Sequence, residues 1–260
     1  MALCFQLIAS GSKGNAILVC SPKTRILVDA GLSARELCKR LEKTCTPANR
    51  LDALVLSHEH GDHVRGAGVL SRRFHVPVYL NQGTRENLPE QTGPMESMQI
   101  FQSGSPFSVG DLEIHPFSIS HDAADPVGFV VEHNAVRLGI CTDLGVATQL
   151  VRTRLRGCRG IVLEANHDTD LLLNGPYPWE LKQRIRGRHG HLSNSDAYEL
   201  LDTLHHDRLK TVVFAHLSEV NNHPDLVRTG SNRFFCRDSW RDVDFVIGKQ
   251  HEISGEMELA

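Results

Sequence analysis

The sequence has no apolar run long enough to cross a membrane and no Cys-x-x-Cys pair. A transmembrane helix needs about 18 or more apolar residues in succession, so we expect neither a membrane span nor a membrane partner. The seven cysteines are odd in number and scattered, which favours free thiols in a reducing cytoplasm over a disulfide framework. Residues 1–15 lack a basic stretch ahead of an apolar one, so we expect no signal peptide.

An excess of charge of one sign is also missing. The 28 Lys and Arg residues nearly balance 31 Asp and Glu residues, and the formal net charge is −3. This balance excludes a disordered polyelectrolyte, and any surface for nucleic acid must therefore be local. With 260 residues, 40% of them hydrophobic, the chain can bury a sizeable core. We find no linker or repeat and expect one domain over residues 1–260.

Short β-like runs alternate with single helices in both halves of the chain. The strongest strand patterns cover residues 3–9, 16–20, 25–29, 54–56, 112–119, 127–133, 136–141, 160–164, 211–215 and 243–247. The pattern predicts helices over 33–43, 63–74, 193–206 and 222–235, and a polar surface loop with a helical turn over 81–99. Two sheets with helices outside them would bury these elements, so we predict an α/β fold.

Histidine is the informative excess, with fifteen in the chain. Residues 57–63 are Ser-His-Glu-His-Gly-Asp-His and directly follow the predicted strand 54–56. Imidazole and carboxylate ligands suit Zn²⁺, Mn²⁺ or Fe. Alternate residues of an extended segment point the same way, so His58 and His60 can share one metal ion. Asp62 and His63 are offset from that pair and can hold a second ion; the alternative is a surface loop that is merely rich in histidine.

The motif HEHGDH at 58–63 resembles the signature of the metallo-β-lactamase fold superfamily, and Asp29 resembles that family's supporting aspartate. The resemblance implies an αββα sandwich with two divalent ions, zinc or manganese, at one edge of the sheets. It also implies three further ligands, each of which follows a predicted strand: His121, Asp143 and His216. The implied set is His58, His60 and His121 on one ion, Asp62, His63 and His216 on the other, and Asp143 between them.

One more histidine narrows the chemistry. His191 lies in Gly-His-Leu-Ser at the start of the predicted helix 193–206, where free N–H groups and the helix dipole would favour a phosphate. It could bind a phosphate oxygen or protonate a leaving group, or it could simply pack there. Along the chain His191 precedes the last metal-binding histidine, His216, and this order resembles that in the nuclease branches of the superfamily. Candidate phosphate contacts precede it, with Tyr177 and Trp179 as stacking aromatics: Lys182, Arg184, Arg186 and Arg188.

Longer motifs resemble the WalJ/YycJ-like exonuclease family over about residues 5–225. They are SGSKGNA at 10–16, LVDAGLS at 27–33, SHEHGDHVRGAGVLSRRFHVPVY at 57–79, SISHDAADPVGF at 118–129, TDLG at 142–145, LEANHD at 163–168, YPWELKQRIRGRHGHLSN at 177–194 and AHLSEVNN at 215–222. The resemblance implies a bacterial cytoplasmic 5′→3′ exonuclease that acts on DNA. It also marks His167, for which substrate contact and packing are both open.

We therefore predict a dinuclear phosphodiesterase in which a metal-bound hydroxide attacks phosphorus. Its catalytic residues would be Asp62, Asp143 and His191. The alternatives are a thioesterase or lactonase of the same fold, and a weakly catalytic, metal-loaded regulatory protein. Residues 145–190 are too few for the β-CASP insertion of RNase J. The grip on nucleic acid must therefore come from this one domain or from a homodimer.

Overall fold

A computed structural model describes residues 2–260. Met1 lies outside the described residues; it belongs to the expected domain and to the segment in which we expect no signal peptide. The first sheet contains β1 (Leu3–Ala9), β2 (Ala16–Cys20), β3 (Arg25–Val28), β4 (Ala53–Val55), β5 (Val78–Leu80), β6 (Met98–Ile100) and β14 (Met257–Leu259). Its strand order is β14-β1-β2-β3-β4-β5-β6. The half from β14 to β3 is antiparallel, and the half from β3 to β6 is parallel.

The second sheet repeats this division into two halves. It contains β7 (Phe107–Val109), β8 (Leu112–Ser118), β9 (Val127–His133), β10 (Val136–Cys141), β11 (Gly160–Glu164), β12 (Thr211–Ala215) and β13 (Asp244–Ile247), in the order β13-β12-β11-β10-β9-β8-β7. Strands β10 to β13 are parallel, and β7 to β10 are antiparallel. Parallel neighbours end at the same edge, and the loops that carry functional residues therefore collect there.

Helices cover the outer face of each sheet. They are α1 (Ala34–Leu41), α2 (Gly61–Val64), α3 (Ala67–Phe74), α4 (Gln82–Glu86), α5 (Gln149–Leu155), α6 (Thr169–Asn174), α7 (Trp179–Arg186), α8 (Asn194–Leu204) and α9 (Pro224–Phe234). Leu37 of α1 and Leu70 of α3 pack on the first sheet, and Leu201 of α8 packs on the second. The sheets meet through a third apolar cluster that includes Phe5 and Phe129. The predicted αββα sandwich is confirmed.

Two local predictions differ from the structure. The single helix expected over 63–74 is wrong, because it is divided into α2 and α3 at Gly66. The Gly66 amide donates to the Ala30 carbonyl at 2.8 Å, and a Cβ on Gly66 would collide with the carbonyl oxygen of Leu32. A tertiary contact therefore ends α2. The loop expected over 81–99 contains the expected helical turn as α4, but it runs into β6, an edge strand whose three residues are all exposed and which has no buried face to mark it in the sequence.

The thiols and the helices agree with two of the absences noted in the sequence. All seven cysteines are unpaired, and Cys141 is a buried core thiol. Burial raises the pKa of Cys141, so it is a poor candidate for a ligand or nucleophile. No helix within residues 2–260 combines the length and the apolar character that crossing a bilayer requires.

The hairpin between β9 and β10 turns on Asn134 and Ala135, whose φ angles are 49° and 63°. Two left-handed residues in a two-residue loop form a type I′ turn, which favours glycine in its second place. We expect Ala135→Gly to raise the free energy of unfolding by about 0.5–1 kcal/mol, since the left-handed strain exceeds the entropic cost of glycine. Urea denaturation measures this. Ala34→Gly, in the first turn of α1, should destabilise instead.

Candidate metal centre

The predicted ligands all follow strand ends at one edge of the sandwich. His58 to His63 follow β4, and His121 follows β8. Asp143 follows β10, and His216 comes directly after β12. The two sheets thus contribute from opposite sides, and no single local segment builds the site.

Three residues at these strand ends adopt left-handed backbone. The φ angles of Asp29, Asp143 and His216 are 62°, 57° and 54°. Such conformations cost about 1–3 kcal/mol each for residues with a Cβ, and surrounding contacts must hold them. The Asp29 amide donates to Val55 O at 2.9 Å, and the His216 amide donates to Ser10 Oγ at 2.8 Å. The strain lies where a strand ends and its side chain turns towards the shared edge.

One group of ligand atoms consists of three imidazole nitrogens. His58 Nε2 lies 3.1 Å from His60 Nδ1, which lies 3.3 Å from His121 Nε2. These atoms are all within 4.8 Å of one another. Three nitrogens this close form an open coordination shell of the kind that leaves room for a further ligand on a catalytic ion.

A second group mixes imidazole and carboxylate. Asp62 Oδ2 lies 3.5 Å from both His63 Nε2 and His216 Nε2. Asp143 is placed between the two groups: its Oδ2 is 3.1 Å from His63 Nε2, and its Oδ1 is 3.8 Å from His121 Nε2. The structure therefore brings together all seven residues of the predicted ligand set.

The loop that contains Asp62 is held by residues of the β1–β2 turn. The Asn15 amide donates to Asp62 O at 2.8 Å, and Asn15 Nδ2 faces His63 Nε2 at 3.1 Å. A Cβ on Gly31 would collide with the Asp62 carbonyl, so only glycine permits this approach. Glu59 Oε1 accepts a hydrogen bond from the Ala124 amide at 2.8 Å and ties the loop to the segment after His121.

Four of the histidines have their second ring nitrogen held by an acceptor. The pairs are His58 Nδ1 with Ser57 Oγ at 3.0 Å, His63 Nδ1 with Asp29 Oδ2 at 2.8 Å, His121 Nδ1 with Gly190 O at 3.2 Å and His216 Nδ1 with Glu164 Oε1 at 2.8 Å. A ring that donates through Nδ1 keeps a lone pair at Nε2. Partners of this kind orient metal-binding histidines and increase their basicity.

Buried atoms inside the cluster lack a partner of their own. Within residues 2–260, Asp143 Oδ2 and His216 Nε2 have no hydrogen bond. His63 Nε2 is close to Asp143 Oδ2, but it meets that oxygen with a lone pair when Nδ1 donates to Asp29. Burial would lower the pKa of His63, yet the carboxylates of Asp143, Asp29 and Asp62 raise it well above its ordinary value. A shared cation would satisfy these atoms, and the donor set fits a borderline divalent metal.

Glu164, the last residue of β11, is a part of the site that the sequence analysis missed. It is 0% exposed, and its Oε1 accepts from both His191 Nδ1 and His216 Nδ1 at 2.8 Å. Its Oε2 accepts from the amides of Leu144 and Leu192. Burial would raise the pKa of Glu164, but the neighbouring His191 and His216 lower it to about 2. A carboxylate at the end of an apolar strand was the available signal.

His191 is the histidine that stands beside the ligand groups and also borders open space. Its ring lies in the wall of a pocket of about 210 Å³ that Arg184 also lines. Burial opposes its charged form, but Glu164 outweighs this and raises the pKa of His191 above its ordinary value. With Nδ1 bound to Glu164, the ring has Nε2 for a ligand in the pocket.

The start of α8 offers fewer free N–H groups than we expected for a phosphate. The Leu192 amide donates to Glu164, the Asn194 amide donates to His167 O, and the Asp196 amide donates to the capping Ser193 Oγ. Asp196 also adds a negative charge at this end of the helix. Most of the N–H groups at this end of the helix are therefore already bonded, and we expect the ring of His191 to supply the main contact to a phosphate.

The remaining candidates are divided between surface and interior. Arg186 and Arg188 are exposed, and Arg184 Nε donates to Asp122 at 2.7 Å across the pocket mouth. Lys182 is buried, and its Nζ donates to the carbonyls of Leu173 and Gly175 at 2.8 Å, so it joins α6 to α7 and points away from the pocket. His167 is 2% exposed, and burial lowers its pKa to about 4. The buried positions of Lys182 and His167 therefore suit a packing role for both side chains.

The beta-lactamase superfamily domain matches residues 24–216. The exodeoxyribonuclease YycJ of Bacillus anthracis is 34% identical over 97% of this chain and 95% of its own length. The exodeoxyribonuclease WalJ of Streptococcus pneumoniae is 34% identical over 94% of this chain and 92% of its own length. The metallo-beta-lactamase fold protein YhfI of Bacillus subtilis has a TM-score of 0.76 at 17% identity, covers 98% of this chain and is matched over 100% of its own.

The variant Glu164→Gln tests the carboxylate that accepts hydrogen bonds from both His191 and His216. The amide keeps the shape but replaces one acceptor oxygen with a donor, so it cannot accept both from the two imidazoles, which share Oε1, and from the two backbone amides, which share Oε2. We expect the affinity for the more weakly bound ion to fall by about 10–100-fold. A competition titration with a chromophoric chelator measures it. Glu199→Gln removes an exposed carboxylate on α8 and should change nothing. Unaltered affinity in Glu164→Gln would show that Glu164 does not support a ligand.

Proposed function

The chain belongs to the β-lactamase superfamily and, within it, to the family of the YycJ and WalJ exodeoxyribonucleases, and we propose that it is a metal-dependent 5′→3′ exonuclease acting on DNA. The observation that carries the proposal is His191. Its ring is bound to Glu164, is not one of the seven predicted ligands and lines the pocket beside them, although it also lies within 4.8 Å of ligand atoms of Asp143, Glu164 and His216. An imidazole in this position serves proton transfer or oxyanion binding, which phosphodiester cleavage requires.

The ligand groups would hold two divalent ions, zinc or manganese. His58, His60 and His121 would bind the first; Asp62, His63 and His216 would bind the second; and Asp143 would serve both. Such a pair of ions, when bound, lowers the pKa of water and clamps the oxygens of a phosphodiester. Asp62 and Asp143 would place their carboxylates against the reacting centre, in addition to serving as ligands.

His191 and Glu164 would act as a pair. Glu164 holds Nδ1–H of His191 and leaves Nε2 directed to the substrate. A proton at Nε2 can then pass to the oxygen that leaves phosphorus, while Glu164 stabilises the ring in its charged form. Since Glu164 has four hydrogen-bond donors around it, the carboxylate is held in one orientation during this transfer.

The exposed arginines near His191 would meet the nucleic-acid backbone. Arg184, Arg186 and Arg188 lie on α7 or directly after it, and each can neutralise a phosphate. Lys182 is left out of this surface because its ammonium group is bound to backbone carbonyls. One domain over residues 1–260, a cytoplasmic location and a homodimer that extends the grip are further parts of the proposal.

Asp143→Ala should reduce the content of bound ions from two per chain to less than one, because this carboxylate faces both ligand groups. We also expect a chelator to lower the melting temperature of the wild type but to have little effect on the variant. Elemental analysis and thermal denaturation measure these quantities. Asp242→Ala, an exposed aspartate, serves as the control. Two ions retained in Asp143→Ala would contradict a shared ligand.

His191→Ala should keep both ions and lose phosphodiesterase activity by about 10²–10⁴-fold, the scale of a positioned acid or base. Turnover of labelled DNA, labelled RNA and a generic thioester by metal-loaded protein tests this, with His75→Ala as an exposed-histidine control. DNA should be the preferred substrate. Thioester hydrolysis that survives the loss of His191, with no cleavage of DNA, would instead assign the site to an acyl hydrolase.

A further inference from the structure

The pocket that borders His191 has one apolar wall. Leu181 and Ile185 are four residues apart on α7 and therefore share a helix face, and Tyr177 lies two residues before the helix begins. All three line the pocket. Trp179, the other aromatic of this segment, is 57% exposed and does not line it.

Two further lining residues, Asn166 and Ser218, are polar and nearly buried. Asn166 is 4% exposed, and its Nδ2 donates to His216 O at 3.0 Å, which leaves Oδ1 as an acceptor. Ser218 is 8% exposed, and its Oγ accepts from the amide of Asn221 at 3.1 Å, so its hydroxyl hydrogen is available to donate. Together with Asp122, Arg184 and His191, these side chains give the pocket polar donors and acceptors in addition to an apolar surface that includes an aromatic ring.

The pocket is adjacent to the reacting centre. Asn166 bonds to the backbone of His216, which belongs to the second ligand group, and His191 lies in the pocket wall. A group held in this pocket would thus be within one nucleotide of the scissile phosphate. Arg184 and Asp122 form an ion pair at its mouth.

We propose that this pocket is a nucleobase subsite, in which Tyr177 stacks on the base of the terminal nucleotide while Asn166 and Ser218 bond to the edge of the base. The inference rests on the proposed nuclease function and adds the group that the site recognises. A volume of about 210 Å³ is below the range of about 300–1,000 Å³ found for drug-sized ligands, so the pocket fits one nucleoside unit. A bare phosphate would leave the apolar wall unused, and an acyl chain would leave Asn166 and Ser218 unpaired.

A base subsite also accounts for cleavage at chain ends. A base inside a duplex must leave its stack to enter a pocket, whereas a terminal base loses stacking on one side only. Stacking on an aromatic ring is tolerant of sequence, since every base has a π-face. The pocket would therefore select terminal nucleotides without selecting their identity.

The test compares DNA whose terminal nucleotide is intact with DNA whose terminal nucleotide is an abasic tetrahydrofuran residue. In single-turnover release by manganese-loaded protein, the wild type should act about 5- to 100-fold faster on intact DNA. Tyr177→Ala should lose most of this ratio, and Tyr177→Phe, which keeps the ring, should retain it. Trp179→Ala should also retain the ratio. Equal rates of wild type on both substrates, or a full ratio in Tyr177→Ala, would overturn the subsite.

A binding measurement separates this inference from the proposed function. By calorimetry, deoxyadenosine 5′-monophosphate should bind the wild type more tightly than deoxyribose 5-phosphate, and Tyr177→Ala should remove the difference. If the protein cleaves DNA but binds both compounds equally, the nuclease function stands and the base subsite is refuted. If it binds the nucleotide preferentially but cleaves no DNA, the subsite stands and the nuclease function is refuted.

Discussion

Buried carboxylates and imidazole lone pairs face one another at the shared edge of the two sheets, and the rest of this molecule depends on this one constraint. An unpaired charge in the interior costs several kcal/mol, so such a cluster exists only with cations among its members. Asp143 Oδ2 and His216 Nε2 lack any other partner within residues 2–260. The sandwich is arranged around this need: each sheet has a parallel half, and both halves end at the edge where the cluster lies.

The residues that bind the second ring nitrogen of four ligand histidines connect this buried cluster to the rest of the fold. Asp29, Glu164 and the Gly190 carbonyl each hold an imidazole from behind, and two of these partners come from strands or strand ends. Glu164 is the most connected of them, because one oxygen serves a ligand histidine and the histidine of the pocket. A change in that carboxylate would therefore disturb metal binding and proton transfer together. Left-handed backbone at Asp29 is tolerated because its side chain satisfies Ser57 and His63 at once.

Local sequence patterns predicted the secondary-structure elements that are determined by local interactions. Strands 3–9 and 16–20 have the predicted limits because apolar runs end at turn residues. The ligand set came from the motif at 58–63 and from the resemblance to the metallo-β-lactamase fold, whose further ligands each follow a predicted strand. Other features depend on contacts between distant segments. The break at Gly66 comes from a contact with the chain near Ala30, and the burial of Lys182 comes from the way α6 folds back on α7. Strand β6 and strand β14 lacked a pattern because they are short edge strands.

The segment from α6 to His191 places further side chains beside the ligand set at the edge of the sheets, and these can restrict the reaction that the site supports. The ligand set alone would serve any reaction that a pair of ions supports, since fold and metal centre do not determine the substrate. The segment adds Tyr177 and Ile185 as an apolar part of the pocket lining and His191 as the ring that we propose for proton transfer. Lys182 fixes α7 against α6, and Arg184 ties it to Asp122 beside His121. The helix that forms this wall is therefore fixed to α6 by Lys182 and to the residue after His121 by Arg184.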